Sequence, residues 1–428
     1  MNVFASNFNN FQQQIMNYKP IINNSQISDF NETSFFNSVL QVFSSLKCVQ
    51  EWMKILHMNK QKLFSNSQSL ITKELYSIYF SLYNGQDVDS TNFILNYNNK
   101  YKSSYPKNSV YYDPYHFLFF LIDLIHAENN IQPNPNFNFN ILLNHSLDEK
   151  KNDIFMYNLF CSFFQQTQNS VISNNFFNIL KNEIDCNSCG KLFYYDYKYV
   201  IKFDIDKYKI YRNESAPEKK MQNLTLDDCF DCFTGGVNKK CNNCQNQNAK
   251  YYCSIASNPK LLILALIRKN HSYKCDVDFT NKLNIFGYCE SKNKNITSYN
   301  LKACISMCGP VKYYADILIN NYWFRYYIKE KKMLGDVKAE IHRFEPQLLF
   351  YELEENNMPN VHNSQSLNLP NYFLKNVNNV MNNNQFSNIG FMPANNWLQV
   401  IRQQANSFGP MQFMQNFAVN QKFNQFFQ

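Results

Sequence analysis

Thr33-Ser34-Phe35-Phe36-Asn37-Ser38-Val39-Leu40-Gln41 is the stretch on which the reading of the chain turns. Apolar residues recur from it at Phe36, Val39, Leu40, Phe43, Leu46, Val49, Trp52, Met53 and Leu56, three and four apart. That spacing is one buried helical face, and it predicts a helical region over 34–58. Ser34 stands at its start, among unpaired backbone N–H groups at the positive end of the helix dipole. A cysteine in that field would be favoured as the thiolate and serve as a nucleophile. This chain has serine, and the plain reading is that Ser34 or Thr33 caps the helix, as hydroxyl residues commonly do.

The chain has 428 residues, enough for one large or two ordinary domains. The net charge of +8 is spread thinly, without a Lys/Arg block of the kind that tracks a nucleic-acid backbone. No apolar run is long enough to span a bilayer. Met1 to Asn7 has neither the basic nor the apolar region of a secretory signal. The thirteen cysteines are an odd number, and several (Cys48, Cys161, Cys304) stand alone in apolar surroundings. Reduced buried thiols are expected there, hence the cytosol or nucleus.

Residues 1–25 read as a flexible Asn/Gln-rich lead. A second helix is expected over Leu70 to Tyr83, with Leu70, Leu75, Ile78, Tyr79 and Leu82 on one face, and a polar loop over 84–110. Pro114 after Asp113 opens a buried helix reaching His126. Residues 153–185 read as one or two helical segments. Cys186-Asn187-Ser188-Cys189-Gly190 and Cys241-Asn242-Asn243-Cys244 are two C-x-x-C knuckles, which together supply four thiolates for one tetrahedral zinc ion. Their separation exceeds that of a compact zinc ribbon. A third pair, Cys229 and Cys232, is set aside because Phe230 and Phe233 mark a short packing helix. Leu192 to Ile205 is β-like, Pro259 to Ile267 is an apolar strand fit for mid-sheet, and Tyr299 to Ser306 and Leu348 to Glu352 are further strands.

Taken in order, these segments resemble the ubiquitin-specific proteases. Glu32, Thr33, Ser34, Phe35, Asn37, Ser38, Leu40 and Gln41 fall on that family's cysteine box, Asn-Thr-Cys-Phe-x-Asn-Ser, with Ser34 at the nucleophile. Asp113, Phe117, Leu118, Leu121, Asp123, Leu124 and His126 fall on its Gln-Asp-Ala-His-Glu-Phe-Leu helix. His116 takes the place of the glutamate there, and both His116 and His126 read as structural histidines. Tyr299, Leu301, Ala303 and Ile305 match the strand leading to the family's catalytic histidine, whose own position is Lys312 in Gly309-Pro310-Val311-Lys312-Tyr313-Tyr314-Ala315. Tyr327 stands at the orienting aspartate, and Asp29 at the asparagine that donates to the oxyanion. The resemblance covers about residues 26–353. It implies an α+β, papain-like cysteine-protease fold with a helical thumb, a β palm and zinc-ribbon fingers. It bounds the domain at 26–355 and the fingers at about 184–255, with Cys186, Cys189, Cys241 and Cys244 on a structural Zn2+.

Acyl transfer by this family needs a thiolate, an imidazole base, an orienting group and an oxyanion donor. Here all four positions differ: Ser34, Lys312, Tyr327 and Asp29. A Ser–Lys dyad is the sharp alternative, and it needs a desolvated lysine that the sequence does not show. The expectation is a natural pseudoenzyme, binding ubiquitin or a ubiquitin-like protein as a non-catalytic module. The alternative is a structural scaffold without ubiquitin, and an active thiol-type hydrolase is a distant third. Other proteins are expected at the palm surface and at the low-complexity tail, 356–428. There Trp397, Leu398 and Ile401 outline a short helix, Asn396 to Phe408, that either docks on a partner or packs on its own domain.

Overall fold

The structure, a computed structural model, describes residues 34–354 except 67–68, 85–87, 89, 105–112, 131–145, 220–221, 258, 291–296 and 328–329. The expectations for the lead 1–25, Asp29, Thr33 and the tail 356–428 with its short helix lie outside the described residues.

The helical thumb comes first. α1 (Ser34–Ser45) and α2 (Lys47–Met58) replace the single helix expected over 34–58. The apolar spacing runs through the junction, but the backbone turns extended at Leu46. Side chains remote in sequence or outside the ladder satisfy the broken ends. Gln50 donates to the Ser44 and Ser45 carbonyls, and Glu352 Oε1 accepts from the Lys47 N–H at 2.8 Å. α3 (Lys60–Ser65) is a single extra turn and a half before α4 (Leu70–Tyr83). α4 buries Leu75, Ile78, Tyr79 and Leu82 as expected, while Leu70 points to solvent.

The expected loop over 84–110 instead contains α5 (Thr91–Ser104). Its polar composition hides a short apolar stripe: Phe93, Ile94 and Tyr97 are buried. The Tyr97 ring meets Phe36 at 5.9 Å and Phe117 at 4.9 Å, which draws α5 onto α1 and α6 (Pro114–Asn129). Asp113 caps α6, accepting from the His116 N–H at 2.9 Å. α7 (Leu147–Lys151), α8 (Asp153–Thr167) and α9 (Val171–Phe176) complete the thumb.

Strand then replaces the helix expected up to 185. β1 (Asn178–Cys186) pairs on one side with β2 (Gly190–Lys198) and on the other with β6 (Ala249–Ser257), which carries β5 (Val237–Lys239) at the edge. This four-stranded sheet, ordered β2-β1-β6-β5, is the fingers. Between its halves the chain visits the palm through β3 (Ile201–Asp204). It then forms α10 (Ile205–Ser215), the two-residue β4 (Leu224–Thr225) and α11 (Leu226–Thr234). α10 follows β3 directly, and Asp204 caps it by accepting from the Lys207 N–H.

The palm is an eight-stranded sheet. It uses β3, β7 (Leu261–Ile267), β9 (Lys282–Asn284), β10 (Ser298–Gly309), β11 (Lys312–Ile319), β12 (Tyr322–Tyr327), β13 (Glu330–Met333) and β14 (Glu345–Leu353). Its main path is β13-β12-β11-β10-β14-β7-β3. The last strand in sequence is thus central in space, and Leu261 to Leu266 of β7 are all fully buried. β8 (Val277–Asp278) pairs with β4 outside this sheet, and α12 (Val337–Ile341) links β13 to β14. Phe203, Phe230, Leu262, Leu264, Tyr299 and Tyr351 form the core beneath the palm. Among the described residues no helix is long and apolar enough to cross a membrane.

Candidate functional site

The N-terminus of α1 abuts the β10–β11 hairpin. Two residues, Pro310 and Val311, connect Gly309 to its partner Lys312. Val311 has φ +50°, a left-handed conformation that a β-branched side chain disfavours. Its carbonyl accepts the Ser34 hydroxyl proton at 2.9 Å. The Tyr313 N–H donates back to Ser34 Oγ at 3.3 Å. Ser34 is therefore buried and joined to the backbone on both sides of Lys312. Its hydroxyl is committed to the hairpin rather than to capping its own helix. Ser38, one turn on, donates to the Ser34 carbonyl at 2.7 Å.

The structure thus brings Ser34 and the Lys312 backbone together, while the Lys312 side chain is exposed to solvent. Tyr327 lies at the end of β12, half-buried, with its ring 4.7 Å from that of Tyr314. Tyr314 also meets Phe344 at 5.1 Å, and the Arg325 guanidinium sits 5.1 Å from both rings. Arg325 is held by two 2.8 Å bonds to the fully buried carboxylate of Asp316. Tyr327 belongs to a packed aromatic–cation cluster. Asp29, the fourth position, lies outside the described residues.

The two cysteine knuckles meet at one end of the fingers. Cys186 closes β1 opposite Gly190 and pairs with Ala249 of β6, whose preceding connection carries the other knuckle. The residue after each knuckle is left-handed: Gly190 at φ +76° and Gln245 at φ +64°. The four Sγ atoms of Cys186, Cys189, Cys241 and Cys244 lie within 4.8 Å of one another, and Cys186 and Cys244 approach to 3.6 Å. Tetrahedral thiolates at about 2.3 Å from a metal would stand about 3.8 Å apart, so this donor set fits one ion. Asn243 Nδ2 donates to Cys189 Sγ at 3.4 Å. The Asn246 N–H and the neighbouring thiols pull the Cys244 thiol down to about 7, whereas burial and their fellow cysteines push Cys189 and Cys241 up. Cys229 and Cys232 stand apart from this cluster; Cys229 is fully buried in the palm core.

The two histidines of α6 are engaged structurally. His116 bonds the capping Asp113 at 2.5 Å. His126 is buried, with Nδ1 2.6 Å from Ser170 Oγ and Nε2 2.7 Å from Gln168 Oε1. Because the Ser170 oxygen already accepts from the Ile172 and Ser173 N–H groups, we assign its own proton to Nδ1 and the ring proton to Nε2. Sequence reading passed over Cys275, Asp278 and His342, whose donor atoms the fold gathers within 4.8 Å. The Cys275-Asp276-Val277-Asp278 string was the one local signal for them.

A helical thumb, a mixed palm and four-cysteine fingers, with a helix N-terminus set against a palm hairpin, define a papain-like domain of the ubiquitin-specific protease type. The ubiquitin carboxyl-terminal hydrolase family profile matches residues 27–351, and the chain belongs to that family. Among similar solved structures is a yeast SAGA DUB module with a mutant Sgf73, at TM-score 0.54 and 19% identity, covering 80% of this chain and 69% of that chain. The Ubp8/Sgf11/Sus1/Sgf73 module bound to ubiquitin aldehyde gives TM-score 0.53 and 19% identity over 80% and 70% of the two chains. A mutant-Ubp8 module bound to monoubiquitin gives 0.53 and 18% over 80% and 71%. At these identities the likeness is one of fold. No curated protein matches the chain in sequence.

Proposed function

We propose that residues 26–355 form a pseudo-deubiquitinase domain that binds ubiquitin or a ubiquitin-like protein without cleaving it. The observation that carries this is the Ser34 hydroxyl, whose single proton goes to the Val311 carbonyl rather than to a base. Lys312 at the base position faces solvent, and Tyr327 at the orienting position packs on Tyr314. Modules of like fold bound to monoubiquitin and to ubiquitin aldehyde support the choice of ligand. A structural zinc ion on Cys186, Cys189, Cys241 and Cys244 holds the fingers. The setting proposed with this reading is the cytosol or nucleus, where cysteines stay reduced and available to a metal.

A titration of isotope-labelled ubiquitin with the full chain tests the binding. Shifts confined to the ubiquitin C-terminal tail and hydrophobic patch are expected; none at high protein concentration overturns the reading. Cleavage of a fluorogenic ubiquitin conjugate that is lost in Ser34→Ala would overturn the inactive assignment. The second reading is a scaffold subunit without ubiquitin. It is favoured by Ile210 and Tyr211, adjacent on α10 and 61% and 58% exposed, as an apolar contact for another protein.

A further inference from the structure

We propose that Cys275, Asp278 and His342 form a second metal site, distinct from the fingers and selective for a divalent cation of the zinc class. Cys275 lies two residues before β8 and Asp278 ends it, between β7 and β9, and His342 follows directly on α12. One ligand atom from each lies within 4.8 Å of the others. Cys275 Sγ and His342 Nδ1 are 3.7 Å apart. A tetrahedral zinc ion, about 2.3 Å from sulfur and about 2.0 Å from nitrogen, would place those atoms about 3.5 Å apart. Thiolate, imidazole and carboxylate form a mixed three-ligand set of the kind that leaves a fourth position open.

The ligands are held before any ion arrives. Asn223 Nδ2 donates to Asp278 Oδ1 at 3.0 Å, which orients the carboxylate. The His342 ring stacks on Phe279 with centroids 4.2 Å apart. Val277 and Ile341, the neighbours of the ligands, are buried and fix both backbones. The two segments are also cross-linked nearby. Arg268 donates to the Pro346 carbonyl at 2.7 Å, and Glu345 accepts from the Ser272 and Tyr273 N–H groups. The Cys275 thiol proton points to the Val277 carbonyl, at 3.2 Å. Binding replaces that proton with the metal and releases it to solvent.

The test is a metal count on the full chain after dialysis against micromolar Zn2+. The wild type should retain about two equivalents per chain, and His342→Ala and Asp278→Asn about one each. Asp278 is exposed, so Asp278→Asn decides the matter if His342→Ala fails to fold. Cobalt substitution separates the two sites. In both variants the intense thiolate-to-metal band of the four-cysteine cluster should persist, while the weaker signature of a one-thiolate site disappears. One equivalent in a wild type that shows the four-thiolate band, or an unchanged count in the folded variants, overturns the proposal. Loss of the four-thiolate band from the wild type would instead count against the fingers site alone.

Discussion

Ser34 Oγ carries one proton, and the Val311 carbonyl takes it. Replacing Ser34 by alanine leaves that carbonyl and the Tyr313 N–H without their partner in a buried place, at a cost of about 1–2 kcal/mol. Denaturant titration should show this loss, with ubiquitin-conjugate turnover at background before and after. On the reading proposed above, Ser34→Cys should not create activity, because Lys312 and Tyr327 would stand where a base and its orienting group are needed; a turnover assay checks it. Val311 is the opposite case. Its φ of +50° places a β-branched residue where glycine is at ease. Val311→Gly should relieve more strain than it adds in chain entropy, raising stability by about 1 kcal/mol in the same titration. His126 adds a pH dependence. Burial lowers its pKa from the ordinary 6.5, against the raising effect of Gln168. The unfolded chain therefore takes up this proton first. The stabilisation is complete above about pH 6.5 and declines as pH falls from there through the folded value. His126→Gln should flatten stability across that window relative to wild type.

At the scale of elements, a bidentate Arg325–Asp316 pair joins β12 to β11, with Glu340 of α12 accepting from Arg325 Nη1 at 3.1 Å. Asp316 is fully buried, so Arg325→Leu should cost about 3–5 kcal/mol and loosen the Tyr314–Tyr327 stack; thermal unfolding and aromatic circular dichroism read both effects. Neither partner of that pair stood out in the sequence, because a pair nine residues apart across a hairpin has no period to betray it. The elements that were legible are those whose signal is local. β7 is a continuous apolar run, α6 carries its own Asp113 cap and Pro114, and α11 sits where Phe230 and Phe233 fall. The misses have a common cause in distant partners. The helix expected over 34–58 breaks because Glu352, more than three hundred residues on, caps α2. α5 forms because Tyr97 finds Phe36 and Phe117, although its asparagines favour coil.

At the scale of the molecule, the candidate site was legible as an order of motifs, since Ser34 lies hundreds of residues before Lys312 and Tyr327 and only the family pattern joins it to them. What they do there was not legible. The two backbone bonds of Ser34 depend on the φ of Val311, which no local rule predicts for valine. The fingers carry the last expectation. Along β2, β5 and β6 most residues are half-buried or exposed, whereas the palm buries Leu261 to Leu266 completely. The two should then differ in what holds them: metal for the fingers, apolar burial for the palm. Cys186→Ser with Cys241→Ser, or strong chelation, should raise amide exchange in β1, β2 and β6 by at least ~100-fold, equivalent to about 2.7 kcal/mol. Exchange in β7 and β14 should stay near its native rate. Hydrogen-exchange mass spectrometry separates the two regions directly. A uniform rise would mean that fingers and palm unfold as one unit, and no rise would mean that the cysteines pack without needing an ion.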